Sequence, residues 1–123
     1  MTTPRITRTN LAVPAHRARM VQGAAASSAD AVFMDLEDAV PLAEKVAALQ
    51  EAVTALSTLD WGRKTVSVRL NGFDSPTIRT EIAQLAGLAR LDAFIVPKAE
   101  RVADIATIGG WIRDASASRA ATG

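Results

Sequence analysis

Four short apolar runs punctuate the chain: Asn10 to Pro14 (NLAVP), Asp30 to Leu36 (DAVFMDL), Thr65 to Asn71 (TVSVRLN) and Asp92 to Pro97 (DAFIVP). Each has strand length and is rich in β-branched or large apolar residues, which suit a pleated, half-buried surface. The segments between them carry helical spacing. Leu42, Val46, Leu49, Val53 and Leu56 recur at steps of four, three, four and three, which predicts one apolar stripe with Glu44, Lys45 and Glu51 off it. Pro41 stands where a first helical turn tolerates proline. A further helix is expected from Ser75-Pro76, with Ile78, Ile82, Leu85 and Leu88 on one stripe, and another from about Arg101, with Val102, Ile105 and Ile112. The alanine-rich stretch from His16 to Ser28 predicts a helix able to lie close to a sheet. Residues 1–8 read as an N-terminal arm, and the small, polar segment from Ala115 to Gly123 as a flexible tail.

Strand followed by helix, repeated along the chain, predicts an α/β protein with parallel strands joined by right-handed crossovers. An open doubly wound sheet and half of an eight-stranded TIM-type barrel both fit that order. The third strand leans toward the barrel. Val66, Val68 and Leu70 alternate there with Thr65, Ser67, Arg69 and Asn71. A strand covered by helices on both faces is usually apolar on both, whereas a polar face ending in arginine suits a barrel interior. The strands also finish in Pro14, in Glu37-Asp38, in Arg69 and Asn71, and in Lys98, and barrel enzymes build their sites at that end.

Composition narrows the partners. With 49% hydrophobic and 22% charged residues the chain is too apolar for a disordered segment. Fourteen basic and thirteen acidic residues are interspersed, so no polybasic surface invites nucleic acid or an anionic membrane. The absence of cysteine excludes disulfides and thiolate metal sites. No apolar run has the length of a membrane span and the first residues lack a signal-peptide core, so a cytoplasmic location is the expectation.

RTNLAVPAHRARM from Arg8, DAVFMDLEDAV from Asp30, VRLNGFDSP from Val68 and IVPKAE from Ile95 together resemble the HpcH/HpaI aldolase/citrate lyase family, in its citrate lyase β-subunit and malyl-CoA lyase branch. The resemblance runs from about Arg8 to Ile112. It implies a Mg²⁺-dependent enzyme that makes or breaks a carbon–carbon bond beside an acyl thioester, usually a CoA ester. It also implies a TIM (β/α)8 barrel assembled as a homotrimer or larger homo-oligomer. Such a barrel takes ~250 residues, so the chain is expected to supply about the first four βα units, over residues 9–114. The family's direct metal ligands, a glutamate and an aspartate, lie on later strands. No direct ligand is therefore expected here, and the chain alone is expected to be inactive.

By the same resemblance Arg69 contacts the acyl substrate near the metal, and Glu37 and Asp38 accept hydrogen bonds from metal-bound water. The chemistry of the residue types agrees. Guanidinium matches a carboxylate or an enolate oxygen, and Mg²⁺ keeps several waters that need acceptors. The plainer readings are a strand-end arginine paired with a neighbouring acid, for which Asp35 is the candidate, and acids gathered at a helix start. Arg8, Arg17 and Arg19 bracket the first strand-to-helix loop as candidate groups for the CoA phosphates, against ordinary surface arginines. Lys98 faces either the mouth, beside an acid, or solvent. His16 reads as incidental. Two alternatives stay open: a metal-dependent pyruvate aldolase of the same superfamily, which typically carries Glu-His where this chain has Glu37-Asp38, and a non-catalytic half-barrel that binds an acyl thioester or serves assembly.

Overall fold

A computed structural model describes residues 4–122. The chain alternates β1 (Asn10–Pro14), α1 (Ala18–Ala26), β2 (Ala31–Asp35), a 3₁₀ turn (Leu42–Glu44) leading into α2 (Lys45–Thr58), β3 (Thr65–Arg69), α3 (Ile78–Leu85), β4 (Ala93–Ile95) and α4 (Val102–Thr122). The strands form one parallel sheet in the order β1-β2-β3-β4. The α/β expectation holds. Sequential order means that each crossover returns in the same sense, so consecutive helices pack as neighbours, α1 on α2, α2 on α3 and α3 on α4. No reversal of strand order, the mark of a doubly wound sheet, occurs among the described residues.

The period of two decides what each face holds. Val32 pairs with Val66 and Met34 with Val68, and all four are fully buried on the helix-covered side. Phe33 pairs with Ser67 and Asp35 with Arg69 on the other face. Ser67 and Arg69 are half-buried while Val66, Val68 and Leu70 are buried, as the alternation along β3 predicts. Each such Val, Leu or Met contributes roughly 1.5–3 kcal/mol by leaving water.

Three helical expectations need correction. Leu49 and Leu56 are buried and Val53 packs against the core, as the stripe predicts, but Leu42 and Val46 are 86% and 75% exposed, and Ala48, Ala52 and Ala55 face the core in their place. The 3₁₀ turn at Leu42–Glu44 breaks the 3.6-residue register before α2 begins, and alanines let the helix lie close to its neighbours. On α4, Val102 and Ile105 are exposed while Ile108 is the buried anchor. The segment expected as a tail from Ala115 takes helical form, α4 running on to Thr122. There Arg119 donates from Nε to the Ala86 carbonyl at 2.8 Å and from Nη2 to those of Ala83 and Gln84 at 3.2 and 2.9 Å. These are the exposed carbonyls at the C-terminus of α3, where a cation is favoured. Gly87 makes the approach possible. Its φ is +83°, and a Cβ there would meet Arg119 Cδ at 3.2 Å and Ser116 Cα at 3.3 Å.

At the N-terminal edge of the sheet, Arg5 donates to both Asp92 carboxylate oxygens, at 2.9 and 3.3 Å, and to the Lys64 carbonyl at 2.9 Å. Asp92 also accepts from the Val66 amide and from Arg90, so the arm is stapled across the starts of β3 and β4.

Candidate functional site

Parallel strands carry their C-terminal ends to one edge, and the register brings the chemistry together there. Asp35 ends β2 directly opposite Arg69, which ends β3. Arg69 donates from Nε to Asp35 Oδ1 at 2.9 Å and from Nη2 to Oδ2 at 2.5 Å, a bidentate pair on a carboxylate that is 4% exposed. Its ring-facing side lies over Phe33, 5.5 Å from the centroid. Glu37 follows on the same face. Its Oε1 is 3.7 Å from Arg69 Nε and its Oε2 accepts from Lys98 Nζ at 2.6 Å. Lys98 also donates to Asp38 Oδ1 at 3.2 Å. The result is an alternating chain of charge, Asp35–Arg69–Glu37–Lys98–Asp38, drawn from β2, β3 and the turn after β4.

The acids are unequally placed. Glu37 is buried, whereas the Asp38 side chain is 67% exposed. Burial pushes the Asp35 carboxyl up. The Arg69 guanidinium and the amides of Glu37 and Ala39 outweigh it and hold the group below the usual carboxylate range. Bonding to Asp35 raises Arg69 in turn, and bonding to Glu37 and then Asp38 raises Lys98. Pairing with Asp35 uses one edge of the Arg69 fork, and the side chain remains 27% exposed. Its Nη1 protons and the outer proton of Nη2 stay available to a substrate oxygen.

Lys98 adopts φ +52° in the turn after Pro97. A residue with a Cβ enters that region at a cost of roughly 1–2 kcal/mol. Glycine would be the cheaper choice, so the strain points to a need for the lysine side chain at this position.

Of the other expected residues, Arg17 stands at the N-cap position of α1 just after β1, at the same end of the sheet, and Arg19 follows in its first turn; both are exposed. Arg8 is not brought to this end. It precedes β1, at the opposite edge, and its guanidinium makes a bidentate pair with Asp30, at 3.0 Å to each carboxylate oxygen. That pairing holds Asp30 down to about 2. His16 is half-buried and its Nδ1 has no hydrogen-bond partner among the described residues.

Two groups were missed. Lys45, read only as lying off the apolar stripe, is half-buried and donates to the carbonyls of Leu36 and Glu37 at 2.9 Å each. Glu81, 2% exposed, accepts from the Asn71 amide at 2.9 Å, from Asn71 Nδ2 at 2.5 Å and from Thr77 Oγ1 at 2.6 Å, which fixes the loop after β3. No local pattern announces either contact. One is made to backbone and the other spans ten residues.

Among the described residues no three acids or histidines are gathered to ligate a metal directly. Glu37 and Asp38 nevertheless grip one cationic nitrogen between them, so this donor set fits acceptors for the water of a hydrated divalent cation.

The chain is similar to several known proteins. The chain is 38% identical over 101 residues to the L-malyl-CoA/beta-methylmalyl-CoA lyase of Cereibacter sphaeroides, covering 80% of this chain and 32% of that protein. It is 37% identical over 115 residues to citrate lyase subunit beta of Leuconostoc mesenteroides subsp. cremoris, covering 94% and 38%. Among solved structures, CitE from Mycobacterium tuberculosis in complex with magnesium, acetoacetate and coenzyme A superposes with a TM-score of 0.67 at 34% identity, over 80% of this chain and 35% of that one. The chain thus spans about a third of the length of the curated relatives it matches. Residues 8–122 match the family model for HpcH/HpaI aldolase/citrate lyase, and the chain belongs to that family.

Proposed function

We propose that this chain is the N-terminal half of the TIM-type barrel of a Mg²⁺-dependent carbon–carbon lyase acting on a hydroxyacyl-CoA or related acyl thioester. The observation that carries the reading is the Asp35–Arg69–Glu37–Lys98–Asp38 chain at the C-terminal strand ends, where barrel enzymes hold their chemistry. Sequential strand order supports the barrel. The lyases among the relatives, and the magnesium and coenzyme A in the CitE complex, support the substrate class and the metal. The whole enzyme is a cytoplasmic homotrimer or larger homo-oligomer in this reading.

The bond beyond the thioester α-carbon breaks, and its electron pair moves to that carbon as a thioester enolate. The hydroxyl proton leaves, the far fragment departs as a carbonyl acid, and a proton returns to the α-carbon. Arg69, oriented by Asp35, presents its free edge to the substrate carboxylate or the developing enolate oxygen, so the charge meets a donor already in place. Glu37 and Asp38 would hold the hydrated Mg²⁺ by accepting hydrogen bonds from its water, and the ion would supply Lewis-acid polarisation of the substrate oxygens. Lys98, Arg17 and Arg19 supply positive charge beside the thioester arm. Arg8, at the far edge, is left out of this assignment.

A (3S)-malyl-CoA thioesterase, 36% identical over 107 residues, favours a second reading in which the thioester is hydrolysed instead. One experiment addresses both. Substituted for the matching segment of the Cereibacter lyase, the chain should sustain cleavage of L-malyl-CoA to acetyl-CoA and glyoxylate. Arg69→Lys in that graft, which keeps charge but loses the fork, should lower kcat by about 10²–10³-fold. Undiminished turnover by the lysine variant removes Arg69 from the chemistry. Release of free CoA and malate selects the thioesterase reading.

A further inference from the structure

Lys45 opens α2, where a positive charge opposes the helix dipole, so helix formation does not account for it. Lysine stems usually reach for water. This one turns back, half-buried, and places its ammonium 2.9 Å from the Leu36 carbonyl and 2.9 Å from that of Glu37. The amides of the same stretch are held from other directions. Leu36 N–H donates to the Arg69 carbonyl at 3.0 Å, and those of Glu37 and Ala39 donate to Asp35 at 2.8 and 3.1 Å. With Asp35 on its amides and Lys45 on its carbonyls, the backbone at Glu37 has one orientation. That orientation aims the carboxylate between Arg69 and Lys98.

We infer that Lys45 is a positioning residue for Glu37, its ammonium tying the Leu36 and Glu37 carbonyls so that the carboxylate stays between Arg69 and Lys98. The consequence for the reaction rests on the reading of Glu37 as an acceptor of metal-bound water; the positioning itself does not. Lysine suits the task because its three donors radiate from one nitrogen and serve two adjacent carbonyls at once. Arginine carries enough donors to replace it, and methionine matches the stem without any.

The test uses the 123-residue chain labelled with ¹⁵N, at mildly acidic pH and near freezing, where a paired lysine ammonium exchanges slowly enough to be seen. In the unaltered chain the Lys98 ammonium signal should be present, reporting its bond to Glu37. Lys45→Met should abolish it while circular dichroism and the amide spectrum stay native, and Lys45→Arg should restore it. A role in stability alone would lower the melting temperature and leave the Lys98 signal in place, and that result overturns the inference. So does absence of the signal in the unaltered chain. If the methionine variant does not fold, Lys45→Leu, which likewise carries no donor, is read in the same way. A chain that folds with neither substitution makes Lys45 a determinant of the fold and refutes a positioning role. The metal reading is tested apart, by Glu37→Gln in the graft into the Cereibacter lyase, which supplies the remaining strands. If that variant leaves the Mg²⁺ dependence of turnover unchanged while the Lys98 signal behaves as described, the metal reading fails and the positioning stands.

Discussion

Replacing Asp35 by asparagine keeps the size of the side chain and removes the charge on which the strand ends converge. Asp35 accepts two bonds from Arg69 and one each from the amides of Glu37 and Ala39, with a side chain only 4% exposed. Asparagine offers a single acceptor oxygen and turns an NH₂ toward donors that already face it. Removing one partner of a fully buried pair costs about 3–5 kcal/mol. Arg69 is 27% exposed and regains some water, which places this loss near the lower limit, at about 3 kcal/mol. For a chain of this length that corresponds to a fall of roughly 10 °C in Tm. The pH dependence supplies an independent check. The folded-state carboxyl of Asp35 lies below its ordinary value of 3.8, so its contribution is fully present above that value and is lost as pH falls through the folded one. Urea denaturation followed by circular dichroism, from neutral pH into acid, should therefore show the two proteins converging as the solution becomes acidic. A loss under about 0.5 kcal/mol at neutral pH, the range of an exposed pair, or a gap that stays constant into acid, would refute the reasoning.

Two further outcomes are expected. Gly87→Ala combines φ +83° with a Cβ 3.2–3.3 Å from Arg119 and Ser116, so it should destabilise the chain by about 1–2 kcal/mol, read by thermal melting; an unchanged Tm contradicts the close α3–α4 approach. Residues 1–123 on their own should sediment as a dimer or larger and turn over no acyl-CoA. Strands β1 and β4 are both edges among the described residues, and an apolar cleft of about 460 Å³ lined by Leu88, Phe94, Val96 and Ile112 lies beside β4. A monodisperse monomer with lyase activity contradicts that expectation.

The sheet was legible because period two leaves little freedom. Once Val66, Val68 and Leu70 are buried, Ser67 and Arg69 must face the other way. Asp35 was legible as a candidate partner of Arg69 by the same alternation, which puts Asp35 at the end of β2 and Glu37 just beyond it on one side. Helix faces were less legible. The leucine and valine stripe from Leu42 has the right spacing, yet a 3₁₀ turn offsets its start, and the close contacts are made by Ala48, Ala52 and Ala55, which a search for large apolar residues passes over. Ile108 escaped for a related reason. The exposed Val102 and Ile105 suggest an apolar face that the helix does not bury. Lys45 was illegible in principle, because its partners are main-chain carbonyls that every residue possesses. Arg8 was misplaced because nearness in sequence to the first strand says nothing about which end of it the arginine occupies.

The bond between Arg5 and Asp92 joins residues 87 apart, whereas the parallel pairings link consecutive strands. During synthesis each βα unit can dock on the one before it as it emerges, but Arg5 has no carboxylate partner until Asp92, at the start of β4, has been made. Closing so long a loop costs entropy that only the assembled sheet repays, which makes the staple one of the last contacts to form. Interactions completed after the folding barrier act on the way out rather than on the way in. The arm is therefore expected to act as a brake on unfolding, its ion pair bearing more on how long the folded chain lasts than on how quickly the chain arrives there.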